Sequence, residues 1–76
     1  GINEKMKEEA IKAKGHIIDI QRDDNFKVKL VDNDQIILCK PSGRLRQHKI
    51  KLVQGDSVDV EVSIYDLTKG RITYRN

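Results

Sequence analysis

The sequence predicts an all-β fold, a five-stranded Greek-key barrel with a short helical turn between strands 3 and 4. Apolar and polar side chains alternate in several short segments that are separated by turn residues, as expected of half-buried strands. The pattern is interrupted by the single proline, which a helix-capping serine follows. Closing the sheet into a barrel removes most exposed strand edges, which matters in a chain of only 76 residues.

The first segment, residues 1–14, lacks the alternation of a strand. Its apolar residues Ile2, Met6 and Ile11 are too sparse to form a docking face. We therefore predict a flexible tail or a short helix here, and a single folded domain over residues 15–76.

Three antiparallel strands in a meander are predicted next. The first starts at Gly15 and has Ile18 and Ile20 on one side. The polar stretch 22–25 is typical of a hairpin turn. After it, apolar residues alternate with lysines along the second strand, which places one set of side chains on the core face: Phe26, Val28 and Leu30. A second turn leads to the apolar third strand, residues 35–39.

Pro41 ends the third strand, and Ser42 is positioned to cap a helical turn over residues 43–47 that contributes Leu45 to the core. A glycine–aspartate corner then precedes the clearest alternation in the chain, with three valines facing the core: Val58, Val60 and Val62.

The fifth strand is predicted over residues 71–75, with Ile72 and Tyr74 on its core face. Five short strands with a helical turn after the third match the OB-fold. An SH3-like barrel also has five strands, but the helical turn favours the OB-fold.

Positive charge is concentrated in two parts of the chain. Lysine and arginine outnumber the acids by 15 to 12, a net charge of only +3. From Lys40 to Lys51, however, there are five lysines or arginines, a histidine and no acid. This crowding predicts an anionic partner, most simply nucleic-acid phosphate. The basic candidates for contact with phosphate in the two segments are Arg44, Arg46, Lys49, Lys51, Lys69, Arg71 and Arg75.

The chain contains no motif of a known enzyme active site. Cys39 has no partner for a disulfide or a zinc site, and it is interpreted as a core residue in a reducing compartment. His16 is interpreted as a surface residue, whereas His48 in the basic turn either contacts RNA or is simply exposed. No catalytic residue, metal, cofactor or membrane span is predicted.

Aromatic residues are few, which disfavours binding by stacked bases. Structured RNA recognised through its shape and backbone fits the composition better. The alternatives are a general RNA chaperone of the cold-shock type on the same fold, and a protein-interaction barrel whose basic face meets an acidic partner.

One stretch resembles the bacterial-type translation initiation factor 1 family. Its strongest features are the SGRLR segment that starts at Ser42, the corner at Gly55-Asp56 and the string YDLTKGRI from Tyr65 to Ile72. The similarity extends over about residues 15–75. By position, Phe26 and Lys27 match a phenylalanine and a basic residue of the family, and Lys27 and Lys40 are further candidates for contact with RNA.

The resemblance implies an S1-like OB-fold that binds rRNA at the aminoacyl (decoding) site of the small ribosomal subunit. It implies exclusion of elongator tRNA and cooperation with initiation factors 2 and 3. The free protein is expected to be a monomer in the cytoplasm, or in the stroma if its source is a plastid.

The chain departs from the family pattern in several places, among them Pro41, which replaces an aliphatic residue, and two of the departures bear on contact with RNA. Cys39-Lys40 replaces the usual Ala-His, although Lys40 keeps a positive charge there. The first hairpin tip, with Asp23 and Asp24, is more acidic than usual, which predicts fewer contacts with rRNA.

Overall fold

The computed structural model describes residues 10–76, which form a closed barrel of five strands and one short helix. The elements in chain order are β1 (Ala10–Gln21), β2 (Asn25–Leu30), β3 (Ile36–Pro41), α1 (Gly43–Gln47), β4 (Ser57–Ser63) and β5 (Lys69–Arg75). The tail or short helix was predicted over residues 1–14, and residues 1–9 of it lie outside the described residues.

The strands are arranged around the barrel in the order β1-β2-β3-β5-β4, and β4 pairs with β1 to close it. All neighbours are antiparallel except β3 and β5, which are parallel. Because α1 connects β3 to β4, the chain crosses one end of the barrel before the fourth strand begins. This is the predicted five-stranded Greek-key OB-fold barrel, which the structure confirms.

The first strand is longer than predicted. Residues 10–14, predicted to belong to the tail, form the first part of β1 and pair with β4, from Ala10 opposite Ser63 to Lys14 opposite Asp59. Residues 10–15 carry few apolar side chains, so alternation gives no signal here. The strand exists because a partner distant in sequence supplies its hydrogen bonds.

The side chains of the core come from all five strands, from α1 and from the loop that follows it: Ile17, Phe26, Val28, Leu30, Ile37, Cys39, Leu45, Leu52, Val58, Val60, Val62 and Ile72. The inward positions predicted for β2 and β4 are confirmed. In β1 the grouping of Ile18 with Ile20 on one side was wrong, because a bulge at Ile18 lies between them: Ile17 and Asp19 pair with consecutive residues of β2. Ile17 is buried opposite Val28, whereas Ile20 returns to the same face opposite Phe26 but stays exposed near the end of the strand.

The prediction that Tyr74 lies on the core face of the fifth strand was wrong, because a second bulge changes the alternation. Asp59 pairs with Tyr74 while Val60 pairs with Ile72, so Thr73 is the extra residue on β5. The bulge reverses the alternation after Ile72, which is buried. Tyr74 therefore lies on the outer surface of the barrel, with 59% of its surface exposed.

Candidate nucleic-acid interface

The helix places two arginines at the surface beside a buried anchor. The N-cap Ser42 accepts a hydrogen bond from the Leu45 amide through its side-chain oxygen at 3.4 Å, and Leu45 is buried. The Ser42 amide donates to the Ile72 carbonyl at 2.8 Å, which ties the start of α1 to β5. Arg44 and Arg46 flank Leu45 and are exposed. The helical turn predicted from Ser42 and Leu45 is thus confirmed, and it presents both guanidinium groups to solvent.

The end of α1 adopts a Schellman motif, in which two amides return to carbonyls of the helix. The Lys49 amide donates to the Arg46 carbonyl at 3.1 Å, and the Ile50 amide donates to the Leu45 carbonyl at 3.0 Å. Lys49 has a φ of 54°, the left-handed conformation for which glycine is strongly preferred. A lysine in this position destabilises the fold relative to glycine. Residues with such backbone strain cluster at functional sites.

The carboxyl end of β5 joins the same surface. The Arg75 guanidinium donates to the Lys51 carbonyl at 2.8 Å, across 24 residues of sequence. The loop after α1 is therefore adjacent to the end of β5, and the hydrogen bond between Ser42 and Ile72 places the start of α1 beside the same strand. We call this surface the basic end, and its residues, all exposed, are Arg44, Arg46, His48, Lys49, Lys51 and Arg75.

Four more predicted contact residues lie on the outer surface of β2, β3 and β5. Lys27 on β2 and Lys69 on β5 both pair with Leu38 of β3, so they are about 10 Å apart, two strand spacings. Lys40 pairs with Arg71 two residues further along the strands, on the same face of the sheet. We call these four residues the basic sheet face. Because Lys40 is followed directly by Pro41 and the cap of α1, the face runs into the basic end.

Acidic residues lie on the neighbouring side of the barrel. Asp59 and Glu61 of β4 alternate with the buried valines and are half-buried on the outer surface. Glu61 pairs with Arg71 on one side and with Lys12 of β1 on the other. Arg71 therefore marks the boundary between the basic sheet face and a surface of mixed charge.

The loop between β4 and β5 is ordered by its own side chains. The Ser63 hydroxyl oxygen accepts from the amides of Tyr65, at 3.1 Å, and of Asp66, at 3.3 Å. The Asp66 carboxylate accepts from the hydroxyl and the amide of Thr68, and these hydrogen bonds lower the pKa of Asp66. The Lys69 amide donates to the Asp66 carbonyl at 3.0 Å, so this turn fixes where β5 and its basic residues begin.

Some features of the surface were not evident from the sequence. Ile36 and Leu38 are exposed although they belong to an apolar run, because β3 has apolar residues on both faces. The outward position of Tyr74 depends on the bulge, which has no sequence signal. An ion pair between Arg46 and Asp24, at 3.6 Å, was also missed, although the acidic hairpin tip was noted.

Other chemistry is limited in the described part of the chain. Cys39 is buried, and desolvation raises the pKa of its thiol to about 12. Within residues 10–76 no three side chains among histidine, cysteine, aspartate and glutamate are close enough to hold a metal ion. The same residues include no helix long and apolar enough to cross a membrane.

No protein-family model matches the chain. The similar sequences and the similar solved structure described below, however, all carry the same name. Translation initiation factor IF-1 of Mycoplasmoides gallisepticum is 51% identical over 71 residues, which cover 93% of this chain and 100% of that protein. Translation initiation factor IF-1 of Mycoplasmopsis synoviae is 46% identical over 71 residues, covering 93% and 99%.

A solved structure agrees with these relatives. The solution structure of translation initiation factor IF-1 from the Wolbachia endosymbiont of Brugia malayi superposes with a TM-score of 0.77 at 36% identity. The match covers 100% of this chain and 88% of that one. The identities and near-complete coverage, together with the closed five-stranded barrel, show that the chain belongs to the translation initiation factor IF-1 family.

Proposed function

We propose that this protein binds rRNA at the aminoacyl (decoding) site of the small ribosomal subunit during initiation and thereby excludes elongator tRNA. The observation that carries the proposal is the basic end, where three segments of chain present exposed cations on one surface. Phosphate oxygens are the natural ligands of such guanidinium and ammonium groups. The family assignment supports a role in translation initiation.

The binding mode follows from the kinds of side chain at the basic end. It contains no phenylalanine, tyrosine or tryptophan, and the imidazole of His48 is the one ring among its residues, so it offers bases little surface on which to stack. The helix fixes the backbone that carries Arg44, because Leu45 is anchored in the core and Ser42 caps the first turn. Cations carried by a fixed backbone favour an RNA whose phosphates are already arranged by its fold.

The proposed mechanism is occupancy of a site, without a chemical step. A barrel of this size blocks the space that a tRNA anticodon stem would need. Binding also shifts the conformational equilibrium of the subunit, to the extent that one conformation binds the protein more tightly than another. Cooperation with initiation factors 2 and 3 is part of the proposal, and linkage requires it to be reciprocal: each factor must raise the affinity of the other by the same ratio.

A general RNA chaperone is the second candidate, and one observation favours it. Tyr65 and Tyr74 are 76% and 59% exposed, which gives the surface more accessible aromatic area than the sequence predicted. However, Tyr65 lies in the β4–β5 loop and Tyr74 lies beside Asp59 of β4. The two rings therefore do not form the continuous stacking platform that sequence-tolerant binding requires.

The test uses a pair of variants that lose the same charge at different places. Arg44→Ala removes a cation of the basic end, whereas Lys14→Ala removes an exposed cation of β1, opposite Asp59. Affinity for isolated small subunits is measured over a salt series by fluorescence anisotropy. We expect Arg44→Ala to reduce the slope of log K against log salt by about 0.7–0.9 and Lys14→Ala to leave it nearly unchanged. Equal effects of the two variants would contradict the proposed interface.

A further inference from the structure

We infer that Asp24 is an intramolecular competitor that occupies Arg46 until RNA phosphate displaces it, and so sets the affinity of the basic end. The inference rests on the proposed function, because it assumes that Arg46 binds phosphate. It adds a residue of the β1–β2 hairpin, and a negative one, to the determinants of binding.

The contact joins two elements far apart in sequence. The Arg46 Nη2 atom of α1 lies 3.6 Å from the Asp24 Oδ2 atom at the hairpin tip. This is the only ion pair within 4 Å between side chains of the described residues. The distance is too long for a hydrogen bond, so the attraction is between charges and leaves the donor directions of the guanidinium open. A phosphate that accepts two hydrogen bonds from Arg46 would therefore interact more strongly than the carboxylate does.

The turn holds the carboxylate in place. Asp23 and Asp24 are the two central residues of the hairpin and have φ values of 60° and 59°. The Asn25 amide closes the turn by donating to the Arg22 carbonyl at 3.2 Å, and the Asn25 side-chain amide donates to the same oxygen at 2.9 Å. Glycine and asparagine suit such positions better than aspartate does. The backbone therefore does not require a carboxylate at Asp24, whereas the ion pair does.

The pair is exposed enough to exchange its partner. The side chains of Arg46 and Asp24 are 54% and 61% exposed, so water already solvates both ions. Breaking an ion pair of this kind has a small cost, and phosphate therefore displaces the carboxylate without a large barrier. The carboxylate nevertheless lowers the positive potential that an approaching RNA meets. RNA must therefore displace Asp24 before a phosphate gains its full contact with Arg46.

The chain offers a matched control for this inference. Asp24→Asn removes the competing charge, and Asp23→Asn makes the same change of net charge at the neighbouring position of the same turn, with nearly the same φ. Within residues 10–76, Asp23 takes part in no ion pair. We expect Asp24→Asn to tighten binding to small subunits by about two- to five-fold, and Asp23→Asn to tighten it clearly less. In an Arg46→Ala background the advantage of Asp24→Asn should disappear.

The inference would be overturned if the two aspartate variants bound with equal affinity. It would also be overturned if Asp24→Asn still tightened binding in the Arg46→Ala background. Inorganic polyphosphate is a second probe, because it presents phosphate without a ribosome, and the same ranking is expected with it. If the wild-type protein failed to bind small subunits, the proposed function would be refuted, but the inference about Asp24 would not. The ranking on polyphosphate would then still decide whether Asp24 competes for Arg46.

Discussion

Replacing Lys49 by glycine is expected to stabilise the fold and to weaken RNA binding at the same time. Lys49 follows the C-cap of α1 with a φ of 54°, and its amide bonds to the Arg46 carbonyl at 3.1 Å. Glycine adopts this conformation without the clash that an L side chain suffers. The Schellman motif would therefore remain, and only the strain and the ammonium group would be lost.

The magnitude follows from two opposing effects. Left-handed backbone costs an L residue about 1–2 kcal/mol, whereas glycine has about 0.5–1 kcal/mol more conformational freedom to lose on folding. The net gain in the free energy of unfolding is about 0.5–1 kcal/mol. In a domain of this size it corresponds to a rise in Tm of about 2–8 °C. Loss of one phosphate contact should reduce the salt slope by about 0.7–0.9.

Thermal unfolding followed by circular dichroism measures the first effect, and anisotropy with small subunits measures the second. Lys49→Ala is the matched control, since it removes the charge but keeps the β-carbon. It should bind as weakly as Lys49→Gly without the gain in Tm. A Lys49→Gly protein that is less stable than the wild type would refute the strain argument, and unchanged binding would remove Lys49 from the interface.

Three further predictions concern the barrel itself. Gly15→Ala should destabilise the protein by about 1–3 kcal/mol in urea unfolding, because the new β-carbon would lie 2.5 Å from Val28 Cγ1 and 2.7 Å from a backbone oxygen of β2. Cys39, with its pKa raised to about 12, should react with a thiol reagent at about pH 8 only when the protein unfolds. Native protein modified as fast as urea-unfolded protein would contradict its burial. Because the pKa of Asp66 is lowered in the fold, its contribution to stability is present above the unfolded pKa and is lost as pH falls through the folded value. Asp66→Asn should therefore be less stable than the wild type at about pH 7, and the difference should shrink below about pH 4; a constant difference would show that the carboxylate charge is not responsible.

Much of the fold could be predicted because its signals are local. The valines of β4 alternate without interruption, and Ser42 with Leu45 specifies a capped helical turn. The errors lie where tertiary pairing decides. The beginning of β1 depends on β4, and the bulge at Thr73 depends on the register between β4 and β5. Neither has a local pattern, since a bulge shifts the alternation by one residue without a characteristic residue type.

In the candidate site, too, the local features could be predicted from the sequence, whereas the features that depend on tertiary packing could not. The concentration of charge from Lys40 to Lys51 is visible in the sequence, and the closed barrel explains how Arg75 joins it through the Lys51 carbonyl. The parallel pairing of β3 with β5 places Lys40 beside Arg71, which only the topology could show. The Arg46–Asp24 pair depends on how α1 packs at the end of the barrel, and only the charges of its two partners are visible in the sequence.

The most direct test of the proposed role is competition for the decoding site. Labelled protein is titrated onto isolated small subunits over a salt series, with and without an RNA ligand specific for the aminoacyl site. We predict saturable binding of one protein per subunit, loss of binding when the ligand is added, and a salt slope of about −4 if about five phosphates are contacted. Weak binding that the ligand does not displace, and that equals binding to unrelated RNA, would contradict the proposal and favour the general RNA chaperone.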